Sequence, residues 1–214
     1  MAIGKFVTFE GPEGSGKSTA CKLVIEIFGN NDILPVREPG STSLGEKIRS
    51  ILQTEDNMPD SAELLLFEAA RAAVVDCTIS PALKAGKSVF CDRFYDSTTA
   101  YQGYGRGIAL SDIEFLNQFA ADGLEPDLTF LFDLDPEIGM ARRGKPTDRI
   151  EAAGMAFHRK VRDGYLDISS RHSRFRVIDA SQPLDVVVET VTKIIESEFM
   201  WTRKNKEDSS CQKA

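Results

Sequence analysis

The sequence predicts an α/β fold, with a five-stranded parallel sheet and helices on both of its faces. Five short apolar runs alternate with segments whose apolar residues recur at helical spacing, as in strands joined by helical crossovers. A glycine-rich stretch at residues 11–18 stands between the first of these runs and the first helical segment. Because we find no internal repeat and no linker, we expect residues 1–201 to form one domain.

Three predicted strands and their helices lie in the first half of the chain. In order, these elements are a strand at 3–9, a helix at 19–28, a strand at 33–37, helices after residues 43 and 60, and a strand at 88–91. Ser43 with Glu46 and Asp60 with Glu63 fit the pattern of capping boxes, in which two side chains close the first turn of a helix. The second of these helices is expected to reach residue 72 or beyond, and Gly86 ends the next one.

The second half of the chain supplies the other two strands, at 128–132 and 175–178. Ser111 and Glu114 are expected to cap a helix that ends before Gly123. The apolar stripe of this helix comprises Ile113, Leu116 and Phe119. The apolar face of the final helix comprises Leu184, Val187, Val188, Val191, Ile194 and Ile195.

Composition excludes some classes of function. The chain of 214 residues carries 26 Lys and Arg against 33 Asp and Glu, a net charge of −7, whereas a nucleic-acid-binding domain needs a basic face. Its four cysteines show no C-x-x-C pair and no metal-like spacing with the two histidines. No signal-peptide or membrane-spanning run is found. We therefore expect a cytoplasmic protein with reduced thiols, no nucleic-acid or membrane partner, and a disordered polar tail at 202–214.

Residues 11–18 match the phosphate-binding pattern G-x-x-x-x-G-K-[ST] at every fixed position. Between a strand and a helix, such glycines let backbone N–H groups converge on phosphate oxygens, and the helix N-terminus adds partial positive charge. We expect Lys17 to reach the β and γ phosphates of a nucleoside triphosphate, and Ser18 to place its hydroxyl on Mg²⁺. The residues expected around the triphosphate are Gly11, Pro12, Glu13, Gly14, Ser15, Gly16, Lys17, Ser18 and Thr19.

A phosphate-binding loop is common to GTPases, motor-type ATPases and kinases. Residues 205–208 match the N-K-x-D motif with which GTPases read guanine, but they stand in the polar tail and not after a buried strand. No Asp in the chain starts a D-x-x-G sequence, the switch element that GTPases also need. The sequence therefore excludes a GTPase.

Polar side chains follow the predicted strands at the edge of the sheet where doubly wound folds bind their ligands. These residues are Glu10, Arg37, Glu38, Asp92, Arg93 and Asp133. Asp92 suits the Mg²⁺ shell, and Arg93 offers the planar fork that matches a phosphate dianion. This combination favours a kinase of a small phosphorylated substrate.

An arginine-rich segment at about 141–150, with helix-like flanks and a Gly-x-Pro break, suits a short lid over phosphates. Phosphoryl transfer needs cations on the equatorial oxygens of the transferred group, and the phosphate-binding loop contains no arginine. We expect Arg142, Arg143 or Arg149 to supply that charge, beside Lys17 and Arg93 as the other catalytic residues.

At this level of detail the sequence resembles the bacterial-type thymidylate kinases, which are P-loop nucleoside monophosphate kinases. The matching stretches are 9–19, 37–42, 66–71, 92–97, 100–103, 133–139, 148–151 and 164–166. The spacing from D-R-[FY] to Y-Q-G and the F-x-x-x-R pair are more specific to the family than the phosphate-binding loop. The resemblance implies transfer of the γ-phosphate of ATP to dTMP, with Mg²⁺ as cofactor, in dTTP synthesis, by a homodimer formed through helices near residues 43–85.

The resemblance also implies a role for each residue around dTMP. Phe67 stacks on thymine, Arg71 binds a base carbonyl, and Ser97 and Gln102 contact the base edge. Tyr101 packs against the sugar, where a 2′-hydroxyl would clash. Arg93 holds the phosphate with help from Arg49 and from Glu38 through its loop. Glu13 lies near the sugar 3′-hydroxyl or the magnesium shell.

Two departures from the family pattern affect the site. Ser41 stands where the family usually has glycine, and the arginine-rich segment is shorter than usual, which leaves the catalytic arginine open among the three candidates. Two alternatives also stay open: a kinase of another nucleoside monophosphate, and a P-loop regulatory ATPase or binding module. The first would share the donor half of the site, and the second would need no acceptor pocket.

Overall fold

The computed structural model describes residues 4–29, 31–144 and 149–204. Within these ranges the five predicted strands form one parallel sheet, in the order β2-β3-β1-β4-β5. The strands are β1 Phe6–Glu10, β2 Ile33–Arg37, β3 Ser88–Asp92, β4 Leu128–Asp133 and β5 Phe175–Asp179. Since β1 lies between β3 and β4, the strand order reverses beside it, and ligands bind outside such a reversal in doubly wound sheets.

Helices connect the strands and cover the sheet. The α-helices are α1 Lys17–Ile27, α2 Ser43–Thr54, α3 Asp60–Val74, α4 Ser80–Lys84, α5 Tyr95–Thr98, α6 Leu110–Ala120, α7 Pro136–Arg143, α8 Met155–Arg171 and α9 Leu184–Phe199. Two π-helical segments, Val75–Ile79 and Thr99–Gly105, continue α3 and α5, and a short 3₁₀ turn spans Glu151–Ala153. The predicted α/β class is confirmed.

Alternating side chains on the strands build a core on each face of the sheet. Val7 and Phe9 pack on one face with residues of α1 and α9, such as Val24 and Val191. Phe6 points to the other face, where the buried residues come from the end of α3, its π-helical continuation and α4. Residues of α8 and of the π-helical segment after α5 form a further cluster with β4 and β5. Helices therefore cover both faces, as predicted.

The predicted capping boxes are wrong in their residues. Helix α2 begins at Ser43, but its cap is Thr42, whose Oγ1 accepts a hydrogen bond from the Gly45 N–H at 2.9 Å. Glu46 instead accepts a hydrogen bond from Arg37 at 2.7 Å. For α3 and α6 the structure records no side-chain cap, and the residues that precede them are Pro59 and Ala109. The three predicted capping carboxylates, Glu46, Glu63 and Glu114, were assigned from spacing alone, which does not reveal competing partners.

The predicted apolar stripe of α6 is only partly buried. Ile113 is fully buried, whereas Phe119 is 78% exposed and its neighbour Phe115 is 68% exposed. The two phenylalanines lie on an apolar face that no described residue covers, so the prediction is wrong for Phe119. On α9, Val187, Val188, Val191 and Ile195 are buried as predicted, whereas Leu184 is exposed.

Trp201 follows α9 and packs against aromatic residues of β3 and of the end of α1. Its ring lies parallel to Phe90, with centroids 5.9 Å apart, and also contacts Phe28. The Lys204 N–H donates to the carbonyl of Ile27 at 2.8 Å. Residues 205–214, most of the predicted tail, lie outside the described residues. No described helix is both long and apolar enough to cross a membrane.

Candidate active site

The phosphate-binding loop needs its glycines because it passes close to two other backbones. Gly11 has φ +144°, and a Cβ there would lie 2.6 Å from the carbonyl oxygen of Phe132. Gly14 has φ +74°, and its Cβ would lie 2.2 Å from the carbonyl oxygen of Gly139 in α7. Only glycine fits both the positive φ and the contact at these positions. The packing fixes the loop between β1, β4 and α7.

A cavity of about 530 Å³ opens beside this loop at the carboxyl ends of β1, β2 and β3. This volume is in the range of small-molecule sites. Its wall on the loop side consists of Glu13, Gly14, Gly16, Lys17, Ser18 and Thr19. The opposite wall includes Glu38, Arg49, Phe67, Arg71, Asp92, Arg93, Ser97, Thr98, Tyr101, Gln102 and Arg143. Most of the predicted site residues therefore line one cavity.

Lys17 begins α1 at the bottom of the cavity and is 5% exposed. Burial and, next, the positive charge of Arg93 lower the pKa of Lys17, while the carboxylates of Glu13 and Asp92 act in the opposite direction. Because burial and Arg93 disfavour the charged ammonium group, a phosphate bound beside it would stabilise that charge.

Asp92 ends β3 beside the phosphate-binding loop, as predicted. Its Oδ1 is buried and accepts no hydrogen bond from the residues that the structure describes. Ser18 is exposed on the first turn of α1, and both residues line the cavity. Mg²⁺ in phosphoryl-transfer sites is held by few protein oxygens together with substrate phosphates and water. The orphaned carboxylate oxygen and the hydroxyl fit such a site.

Arg93 lies between the loop and the rest of the cavity. Its φ is +72°, the left-handed region, and this turn after β3 directs its side chain back toward the loop. The guanidinium group donates to Gly11 O at 3.2 Å and forms a close ion pair with Glu13. Tyr101 also donates its hydroxyl to Glu13, at 3.1 Å. The favourable contacts must offset the strain of positive φ at a non-glycine residue.

Glu13 is surrounded by positive charge. Besides Arg93, Arg143 donates to its Oε2 at 2.6 Å. Burial alone would raise the pKa of Glu13, but the charges of Arg93, Lys17 and Arg143 outweigh it and lower the pKa to about 2. Glu13 is therefore an ionised carboxylate that gathers three cations around the place where phosphates would bind.

Ser97 lies beside Arg93 in the cavity, and its contact with the base edge stays a prediction. Its hydroxyl donates to Glu10 Oε2 at 2.6 Å and lies 2.8 Å from the Tyr165 hydroxyl. Arg93 donates to it at 3.1 Å. Glu10 is fully buried, and burial, followed by the charge of Asp96, raises its pKa to about 7. The Ser97 hydroxyl thus helps hold Arg93.

Arg71 lies at the other end of the cavity and is 2% exposed. Its Nε donates to Glu38 at 3.0 Å, its Nη1 to Glu68 and Asn117 at 2.9 and 3.1 Å, and its Nη2 to Thr98 at 2.9 Å. These bonds use four of the five N–H groups of an arginine, so within the described chain one N–H on Nη2 is left for a ligand.

Glu38 contacts Arg71, and its help to Arg93 through its loop stays a prediction. Its Oε2 accepts the Arg71 hydrogen bond, and burial raises its pKa to about 7 against the lowering effect of Arg71. Arg49 does line the cavity, and its Nη1 donates to the carbonyl of Pro39 at 3.3 Å. Phe67 lines the cavity between these groups and is half-buried, as a stacking platform requires.

Ser41 has φ +61°, a region that favours glycine. Its hydroxyl accepts from the Arg37 N–H at 2.9 Å and donates to the Arg37 carbonyl at 3.2 Å. These bonds offset the cost of the serine where the family usually has glycine.

The three arginines of the predicted lid have different positions. Arg143 lines the cavity and contacts Glu13. Arg142 points away and donates to the carbonyls of Ala180 and Ser181, at 2.9 and 3.4 Å. Arg149 pairs with Glu63 outside the lining of the cavity. Residues 145–148 of the predicted lid lie outside the described residues. The contacts favour Arg143 as the catalytic candidate over the other two.

Sequence reasoning missed several residues of the site. Thr98 lines the cavity beside Arg71, and Tyr165 reaches Glu10 from α8 with a hydroxyl–carboxylate distance of 3.0 Å. Glu63 is buried behind Gln102, and Asn117 reaches Arg71 from α6. Tyr165 stands within the matching stretch 164–166, which was the only available signal for it. The others come from the packing of separate helices and leave no local pattern.

Comparison with known proteins agrees with the fold. The family described as thymidylate kinase matches residues 9–191. Thymidylate kinases of Clostridium novyi and Lactobacillus acidophilus are 42% and 45% identical to the chain, over 89% and 88% of its length and 98% and 92% of their own. The crystal structure of thymidylate kinase from Ehrlichia chaffeensis superposes with a TM-score of 0.75 at 38% identity, covering 90% of this chain and 99% of that one. The chain belongs to the thymidylate kinase family.

Proposed function

We propose that this protein transfers the γ-phosphoryl group of ATP to dTMP, giving dTDP and ADP. The observation that carries the proposal is the division of one cavity into two ends. Lys17 and the phosphate-binding loop form the donor end, while Arg71, Gln102 and Phe67 form a pocket for a base. Arg93 lies between them, where the phosphate of the acceptor would meet the donor.

The chemistry needs positioning and charge more than proton transfer. The phosphate of a nucleoside monophosphate is already ionised near neutral pH, so its oxygen can attack without a general base. Lys17 and Arg143 would neutralise the transferred group, and Arg93 would hold the acceptor phosphate. Glu13 keeps Arg93 and Arg143 in place before the substrates arrive, and the incoming phosphates would compete with it for both.

We propose Mg²⁺ as the cofactor, held through Asp92 and Ser18. The orphaned Oδ1 of Asp92 supports this assignment, because a buried carboxylate oxygen without a donor is costly unless a cation or water satisfies it. When bound, the ion would supply positive charge to the phosphate oxygens of ATP. We place the reaction in the cytoplasm on the strength of its use of ATP.

The acceptor pocket argues against the two alternatives. A regulatory ATPase or switch would not need Arg71, Gln102 and Arg93 around a second pocket beside the ATP end. Against a purine monophosphate kinase we set Phe67 and Arg71, which line the acceptor end together with Gln102 and suit a single pyrimidine ring. Among pyrimidines, the Tyr101 ring favours a deoxyribose over a ribose.

We further propose that the protein is a homodimer. Leu65 on α3 and Phe115 and Phe119 on α6 are exposed large apolar residues on two helices that pack against each other. Exposed apolar patches of this kind mark interaction sites. The interface would thus include α3, within the range of helices that the resemblance indicates, together with α6.

A coupled assay of ADP release tests the proposed reaction. The purified protein is given ATP and Mg²⁺ with dTMP, dUMP, UMP, CMP, AMP or GMP in separate reactions. We expect the highest kcat/KM with dTMP. ADP release that is independent of any monophosphate would favour the switch, and release that is best with AMP would refute the thymine pocket.

A further inference from the structure

Glu63 is a charged side chain buried behind the wall of the cavity, and the proposed chemistry does not use it. Its carboxylate, on α3, is 0% exposed. Oε1 accepts a hydrogen bond from Gln102 Nε2 at 2.7 Å, and Oε2 accepts one from Arg106 Nη2 at 3.1 Å. Arg149 forms a close ion pair with the same Oε2. Two donors from the π-helical segment after α5 and its end, and a third from residue 149, therefore converge on one carboxylate.

The charge of Glu63 determines which way the Gln102 amide is turned. Burial would raise the pKa of Glu63, but hydrogen bonds from Arg106 and Gln102 and the charges of Arg106 and Arg149 lower it. An ionised carboxylate only accepts hydrogen bonds, so the NH₂ group of Gln102 must face it. The opposite orientation would place two oxygens 2.7 Å apart.

This orientation leaves the amide oxygen for the cavity. Gln102 is 2% exposed and lines the cavity, and no donor among the described residues reaches its Oε1. The remaining N–H of Arg71 Nη2 belongs to the same pocket. The pocket thus presents one acceptor and one donor to a base.

The pair matches one class of pyrimidine. Thymine and uracil present an N3–H donor beside an O4 acceptor, whereas cytosine presents an N3 acceptor beside an N4 amino donor. With the Gln102 amide turned as observed, cytosine would place acceptor against acceptor and donor against donor. Burying polar groups in such unpaired contacts weakens binding.

We infer that Glu63 is a positioning residue that determines base specificity by fixing the orientation of the Gln102 amide. Glu63 itself does not touch the substrate. Arg106 and Arg149 act from its far side, where they keep the carboxylate charged. This inference depends on the proposed function, since it concerns the acceptor of the same reaction.

The test compares dTMP and dCMP as acceptors for the wild type and Glu63→Gln. A glutamine at 63 can turn its own NH₂ group toward Gln102 and so permit either orientation of the Gln102 amide. We expect the ratio of kcat/KM for dTMP over dCMP to fall at least about tenfold. The loss should lie mainly in KM for dTMP, because the phosphate end of the cavity is unchanged.

Arg106→Gln is the matched control, because it removes a partner of Glu63 that does not line the cavity. Arg149 still pairs with Glu63 in this variant and keeps the carboxylate charged. We therefore expect a lower melting temperature and a dTMP preference within about twofold of the wild type. An equal loss of the preference for dTMP over dCMP in both variants would show that Glu63 has only a structural role. An unchanged preference in folded Glu63→Gln would overturn the inference.

If Glu63→Gln does not fold, the double variant Glu63→Gln with Gln102→Glu provides a second test of the inference. Here the glutamine donates and the carboxylate presents an oxygen to the cavity, so we expect the preference for dTMP to return. Calorimetric binding of dTMP and dCMP to the wild type separates the two proposals. A protein that binds dTMP preferentially without phosphorylating it would refute the proposed reaction and leave the role of Glu63 standing. Equal binding of dTMP and dCMP would overturn the role of Glu63.

Discussion

Glu13 of the phosphate-binding loop forms a half-buried ion pair with Arg93, a residue whose backbone has φ +72°. The pair joins the donor half of the cavity to the acceptor half before any substrate is present. Arg143 contacts the second oxygen of the same carboxylate. A single loop carboxylate therefore prepositions two of the cations that phosphoryl transfer requires, and such preorganisation avoids reorganisation during the reaction.

Lys17→Ala should reduce kcat by at least about 10³-fold, because the removed ammonium group cannot neutralise the transferred phosphoryl group. Lys17 lies at the start of α1, and alanine is a good helix former, so the fold should survive. Steady-state kinetics and circular dichroism measure the two effects. A folded variant with near wild-type turnover would contradict the assignment of the phosphate-binding loop.

The adjacent residues Arg142 and Arg143 offer a matched pair. Arg143→Ala should lower kcat by about 10²-fold or more, since it removes a cation that lines the cavity. Arg142→Ala should keep kcat within about threefold, because its side chain is bound to the carbonyls of Ala180 and Ser181. Steady-state kinetics of both variants tests which arginine is catalytic. A larger loss of kcat in Arg142→Ala than in Arg143→Ala would reverse the assignment.

Glu10 should make the stability of the protein depend on pH. Its pKa rises to about 7 in the folded state from an ordinary 4.5, so the folded protein holds this proton more tightly than the unfolded chain does. The resulting stability is complete below pH 4.5 and is lost as the pH rises to about 7. Glu10→Gln should therefore flatten the dependence by up to about 1.4 kcal/mol per pH unit in that window.

Urea denaturation at several values between pH 4.5 and pH 8 measures this slope. Part of it should persist in Glu10→Gln, because burial also raises the pKa of Glu38 to about 7. Glu13 has the opposite sign, since its lowered pKa contributes stability that is lost only as the pH falls from 4.5 to about 2. A slope in the variant equal to that of the wild type would show that Glu10 is ionised throughout.

Phe119→Glu should dissociate the proposed dimer. A charge on the exposed apolar face of α6 would have to be desolvated at the interface, whereas in the monomer it stays in water. Analytical ultracentrifugation should give the mass of two chains for the wild type and of one chain for the variant. Ile138→Glu, at an exposed position on α7, serves as the control and should remain dimeric. A wild type that sediments as a monomer would refute the proposal.

The fold was predictable because its signals are local. The apolar runs that end at Asp92 and Asp133 form strands. The loop pattern from Gly11 to Ser18 predicts a helix directly after the loop, and α1 begins at Lys17. Spacing within one segment was sufficient for both features. Five parallel strands and a cavity at their carboxyl ends follow from such patterns together with the handedness of crossovers.

The details of the site depend on contacts between distant segments, which no local pattern records. Arg142 and Arg143 are adjacent residues of the same type in the last turn of α7. Their sequence does not reveal that Arg143 contacts Glu13 while Arg142 contacts the carbonyl of Ala180. The contacts of Ser97 with Glu10 and Tyr165 could not be known from its place in the sequence. Glu63 matched a capping pattern, but its partners come from residues more than 35 positions away in the sequence.

The central claim is that one cavity transfers a phosphoryl group from ATP to dTMP. Its most direct test is to incubate the protein with ATP, Mg²⁺ and dTMP and to quantify dTDP and ADP by ion-exchange chromatography. We predict that the two products form in equal amounts and that ADP formation falls to background when dTMP is omitted. ADP formed at the same rate without dTMP, or with no dTDP beside it, would contradict the claim.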